Sequence, residues 1–98
     1  QPDKVELNID LSYWITQPPQ ESSTKEIQDA VTAAVESYKE WQTGKIGRDI
    51  NPSKLAALVM EAGAKRVVIR SPEFVVLTDT QAAKLKESTV KYEGIENE

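Results

Sequence analysis

The sequence predicts an α+β fold. It reads as a two-layer sandwich with two helices packed on one face of a small, mostly antiparallel sheet of three to four strands, in the order β-α-α-β-β. Three observations carry this. An opening stretch alternates apolar and polar residues at period two. Two later stretches repeat apolar residues at spacings of three and four, and short apolar runs near the end are bounded by turn residues. The 98 residues suit one domain over 1–98 and are too few for two independent cores. At this length roughly 60–65% of the unfolded surface can be buried, which a single layer of helices on a sheet achieves.

In the first strand, Val5, Leu7, Ile9, Leu11, Tyr13 and Ile15 alternate with Glu6, Asn8, Asp10 and Ser12, so the apolar set faces a core and the polar set faces water. "QPPQESS" ends it, because Pro18 and Pro19 cannot donate ladder hydrogen bonds. "STKE" reads as a capping box with Ser23 as N-cap and Glu26 reaching back. Ile27, Val31, Ala34, Val35, Tyr38 and Trp41 then make the stripe of a helix of about five turns, ending near Gly44. After the "GKIGR" connection, Asn51 is an N-cap and Pro52 a first helical residue, with Ile50 and Leu55 placed as a hydrophobic staple. Leu55, Leu58, Val59 and Ala62 form the second stripe, with Leu58 expected in the core, and Gly63 can take a left-handed terminal conformation. "KRVVIRSP" is a short strand centred on Val67 to Ile69. "EFVVLT" continues as extended chain or a further strand, and "STVKYEG" is the last strand, with Val90 and Tyr92 on one face. The tail "IENE" is expected to fray.

The composition argues against several classes of function. There is no His, the side chain best suited to proton transfer near neutral pH, and no Cys, so no disulfide or thiolate chemistry. A net charge of −4 argues against a phosphate-binding surface, because nucleic-acid affinity comes largely from Lys and Arg releasing counterions. No apolar run approaches the roughly 20 residues needed to span a bilayer. The chain opens on "QPDKVELNI" rather than Met and is expected to be a segment of something longer.

Candidate chemistry is sparse. Glu6 and Asp10 read as a solvated strand face, and the adjacent Arg48 and Asp49 as support for a loop. "TDT" at Thr78 to Thr80 resembles a turn held by side-chain hydrogen bonds more than a metal-ligand fragment. Ser53 and Lys54 are consecutive and diverge on a helix, so they make no nucleophile–base pair, and "GKIG" lacks the spacing of a phosphate loop. No catalytic, cofactor-binding or metal-ligating residue is therefore assigned. Two candidate interface residues stand out. Trp14 should project from the polar face of the first strand, either into a contact with another protein or under the "QPPQ" loop or a terminus; Phe74 is the second.

The stretch "IGRDINPSKLAALVMEAGAKRVVIRSP" resembles the C-terminal part of the baseplate J-like family, baseplate assembly proteins of contractile-tailed phages and related particles. The ordered set carries the resemblance: a helix, a "GRDI"-type loop at Gly47–Ile50, the "PS" helix start at Pro52–Ser53, an alanine- and leucine-rich helix, a "GAKRVVIRSP" strand, and an acidic "Q-A" segment at Asp79–Ala82. Gly63-Ala64 stands where the family often has Gly-Val. The resemblance implies the C-terminal domain of a longer structural protein of the baseplate wedge, located in the virion and assembled in the host cytoplasm. It implies partners among the other wedge proteins and the rest of its own chain, and no cofactor, nucleic acid, membrane or small-molecule substrate. The alternative is a ferredoxin-like small-ligand-binding or regulatory domain, which needs a pocket with converging polar groups. A small enzyme of acylphosphatase type would want an anion-binding Arg after the first strand, where this chain has "TQPPQESS".

Overall fold

A computed structural model describes residues 3–16 and 22–96, with side chains in the first helix from Thr24 onward. Its elements are β1 (Asp3–Ile15), α1 (Ser22–Thr43), α2 (Pro52–Glu61), β2 (Arg66–Ser71) and β3 (Gln81–Ile95), the predicted order. The capping box expected at Ser23, and the "QPPQ" loop, lie outside what is described. At α2 the predicted start is present: Asn51 is extended (φ −122°, ψ 97°) and its Oδ1 accepts from the Ser53 N–H at 3.0 Å, with Pro52 in the first turn. Asn51→Ala should therefore lower stability by about 1 kcal/mol in a denaturant titration. Gly63 follows α2 at φ +124°, where a Cβ would also press on Ile27 at 3.3 Å.

The sheet has three strands in the order β2-β1-β3 and is mixed, which corrects the expectation of a mostly antiparallel sheet of up to four strands. β1 pairs antiparallel with β2 but parallel with β3. The cause is the route taken after β2. Beyond Ser71-Pro72, a cis peptide, the chain does not form a hairpin. It passes the α1–α2 connection, where Val75 makes a single bridge with Ile50, and re-enters the sheet beside the start of β1, with the Asp3 N–H donating to the Thr80 carbonyl at 2.9 Å. "EFVVLT" is thus extended chain rather than a strand. Alternation of side chains assigns a strand its face, and says nothing of the direction of its neighbour.

β1 is regular throughout, and each register shift places the extra residue in a neighbouring strand: Arg70 in β2, Lys86 and Glu93 in β3. Charged bulge residues in both outer strands discourage pairing with other chains. The bulge at Lys86 hides the start of β3 in the sequence, which lies at Gln81, earlier than "STVKYEG" suggests. Leu85 and Ser88 sit opposite Leu7 and Ile9, so one face of β3 is populated at a spacing of three and its period of two is broken. Of the tail expected to fray, Ile95 ends β3 and the Glu96 N–H donates to the Ile15 carbonyl at 2.8 Å, while residues 97–98 lie outside what is described.

The core lies where β1 predicts it. Leu7, Ile9, Leu11, Tyr13 and Ile15 are buried beneath Val31, Val35 and Tyr38 of α1 and Leu55 and Val59 of α2. α1 lies over β3 and α2 over β2. Leu58, expected in the core, is only partly buried, alongside a shallow groove between the helices. The outer face of β1 is less wet than predicted. Ser12 is buried because the Arg70 guanidinium folds over it, donating to Ser12 Oγ at 2.9 Å and to both Asp10 oxygens at 2.8 and 3.2 Å. That contact holds the Asp10 carboxyl below the usual carboxylate range.

Candidate functional site

Trp14 is even-numbered on β1 and so stands on the outer face, as predicted, directly opposite Arg66 of β2. The Arg66 guanidinium lies 3.7 Å from the centroid of the indole ring. Its Nε and Nη2 donate to Glu96 at 3.1 and 2.8 Å, and Lys65 Nζ donates to the same carboxylate at 3.2 Å. Hydrogen bonds from Arg66 first, and then from Lys65, pull the Glu96 carboxyl down to about 2. A cation therefore lies over the ring, held there by a residue of the C-terminal tail; the "QPPQ" loop, the other cover expected of Trp14, lies outside what is described.

Phe74 belongs to the extended segment beyond β2, at the opposite end of that strand from Arg66. The two candidate residues therefore do not form one patch. Phe74, Val75 and Val76 are 57%, 39% and 72% exposed. Their backbone is nevertheless fixed. Ile50 and Val75 exchange two hydrogen bonds at 2.9 and 3.1 Å, and the buried Leu77 gives its N–H to Asp49 Oδ1 at 2.9 Å. Asp49 thus braces this segment instead of pairing with Arg48, which stacks on Trp41 at 4.1 Å. "TDT" forms the turn expected of it, with the Thr78 N–H bonded to Gln81 Oε1 at 2.9 Å and the Thr78 and Thr80 hydroxyls 3.2 Å apart. Val76, the most exposed of the apolar run, went unremarked in the sequence because β-branched neighbours there read equally well as a strand.

Among the described residues, no group of three or more potential ligands is placed to hold a metal ion, and no helix is long and apolar enough to cross a membrane. The two candidate side chains supply apolar and aromatic surface, a chemistry of contact. The family model for the Baseplate J-like protein C-terminal domain matches residues 15–91, from the last residue of β1 to Lys91 in the second half of β3. The chain belongs to that family. No curated protein gives a significant match to it. Membership implies a structural role and a location in a phage tail baseplate, in the company of other baseplate proteins. In this baseplate J-like domain the matched region takes in both helices, β2, the Phe74–Val76 strip and the Asp49 brace, whereas Trp14 falls one residue before it.

Proposed function

We propose that this chain is the C-terminal domain of a longer baseplate protein, seated in the wedge of a contractile phage tail or tail-derived particle and assembled in the host cytoplasm. It holds neighbouring wedge subunits and the rest of its own chain together, and turns over no substrate. The observation that supports this reading is the Phe74–Val76 strip, three consecutive exposed apolar side chains on a backbone held by Ile50 and Asp49. Apolar side chains presented on an ordered backbone suit burial against a partner. Trp14, half-covered by Arg66, is a second candidate contact at the far end of β2.

The test is Phe74→Ser in the full-length protein. Stability should change by no more than about 0.5 kcal/mol, as for a surface substitution, while incorporation into tail particles falls. Thermal unfolding checks the first and the protein composition of purified particles the second. Incorporation at the unmodified level would remove the strip from the assembly contact.

A further inference from the structure

β1 is the central strand, yet β2 pairs only with its second half, from Asp10 to Trp14. Over Lys4 to Asn8, among the described residues, it is paired on one side alone, with β3. The backbone groups of its odd-numbered residues point toward β3: the Asp3 N–H donates to Thr80, and the Ile15 carbonyl accepts from Glu96. Those of its even-numbered residues point the other way, since the Trp14 carbonyl accepts from the Lys65 N–H and the Asn8 carbonyl from the Ser71 hydroxyl at 2.7 Å. With every bulge residue in the neighbouring strands, this alternation runs unbroken back to Lys4. The N–H and C=O of Lys4 and Glu6 therefore face the open side, where no backbone group of the described residues pairs with them.

This edge is one wall of an open groove of about 290 Å³, whose far wall is the chain from Pro72 to Val75, with Val5 and Ile50 between them. Two further features of the lining are unmatched. Asn8 Oδ1 is buried without a hydrogen-bond partner, and Glu73 has no ionic partner among the described residues. Arg70, the cation at the groove, is already engaged by Asp10. Glu6 is paired with Lys86, so among the residues lining the groove the uncompensated charge is negative.

We propose that this edge receives an extended segment of a neighbouring protein as an added strand, antiparallel to β1 and in line with β2, with a Lys or Arg side chain set against Glu73. An extended peptide presents N–H and C=O groups at the two-residue spacing, about 6.6 Å, that Lys4 and Glu6 offer. The inference deepens the assembly reading and rests on it for the source of the strand, a neighbouring baseplate subunit.

The test uses the isotope-labelled chain and synthetic octapeptides of alternating Thr and Val carrying either a central Lys or a central Glu. In the free chain the amides of Lys4 and Glu6 should exchange with solvent faster than those of Val5 and Leu7, by about ten-fold or more. The Lys peptide should shift and protect the Lys4, Glu6 and Asn8 amides, and bind up to about five-fold more tightly than the Glu peptide, the scale of one exposed charge pair. Glu73→Lys should reverse that preference. Glu6→Pro should abolish binding while sparing the β1–β3 ladder, which does not use the Glu6 N–H. Lys4 and Glu6 amides already protected in the free chain would overturn the proposal, because the edge would be filled. So would an absence of shifts with either peptide, or a preference indifferent to Glu73→Lys. A chain that bound the Lys peptide but was missing from purified baseplates would remove the assembly reading and leave the strand-accepting edge; baseplate residence without peptide binding would do the reverse.

Discussion

Gln42→Leu is expected to destabilise the domain by about 4 kcal/mol or more, although the substitution is close in size and places an apolar group in a buried site. Gln42 is fully buried near the end of α1, and all four of its hydrogen-bonding positions are filled. Oε1 accepts from the Tyr38 hydroxyl at 2.9 Å and from the Asn51 N–H at 3.0 Å, while Nε2 donates to the carbonyls of Asp49 and Arg48 at 2.8 and 3.3 Å. One side chain thereby ties α1 to the connection that starts α2, next to the Asp49 brace beneath the exposed strip. Leucine would leave a hydroxyl, an amide and two carbonyls without partners, and each such group costs about 1–3 kcal/mol where water cannot reach it. Burial pushes the Tyr38 hydroxyl up to about 12, so it remains a proton donor throughout the neutral range. Tyr38→Phe removes a single donor and should cost only about 1 kcal/mol. Urea titration with an unchanged slope would read both differences directly. A loss below about 1 kcal/mol for Gln42→Leu would mean that water replaces the amide.

The sequence contained a trace of this arrangement. Val31, Val35, Tyr38 and position 42 follow one another at spacings of four, three and four, so Gln42 continues the buried stripe, and a polar residue there requires partners. Reading Trp41 as the end of the stripe hid it. The inner face of β1 was legible because six apolar residues alternate without interruption and no bulge falls in that strand. The start of β3 was not, because the bulge at Lys86 breaks the same alternation. The parallel pairing of β1 with β3 depends on where a loop leads, which no local pattern encodes. Of the candidate contact residues, Trp14 was placed correctly on the outer face by counting alone. Its cover was not foreseeable, since Arg66 lies 52 positions later (66 − 14) and meets it only through strand pairing. The open edge at Lys4 and Glu6 was equally hidden, because it follows from the short length of β2.

Leu55→Ala is the second substitution with a large expected effect, about 3–5 kcal/mol, and Leu58→Ala should cost clearly less, about 1–2 kcal/mol. Both belong to one apolar stripe in the sequence, where Leu58 reads as core. The structure separates them. Leu55 and Val59, one turn apart, are fully buried in the core cluster, on the face of α2 toward the sheet. Leu58 and Ala62 are turned toward α1, where Ala30 and Ala34 line a shallow open groove. Truncating Leu55 removes methyl groups from a site closed on every side, so the transfer loss is joined by a cavity that the neighbours cannot fill. Truncating Leu58 widens a groove that solvent already enters, and only the transfer part is lost. Denaturant midpoints for the two variants, measured alongside the unmodified chain, decide the matter. Equal losses would mean that α1 closes over Leu58 in solution, and a larger loss at Leu58 would reverse the orientation of α2 described above.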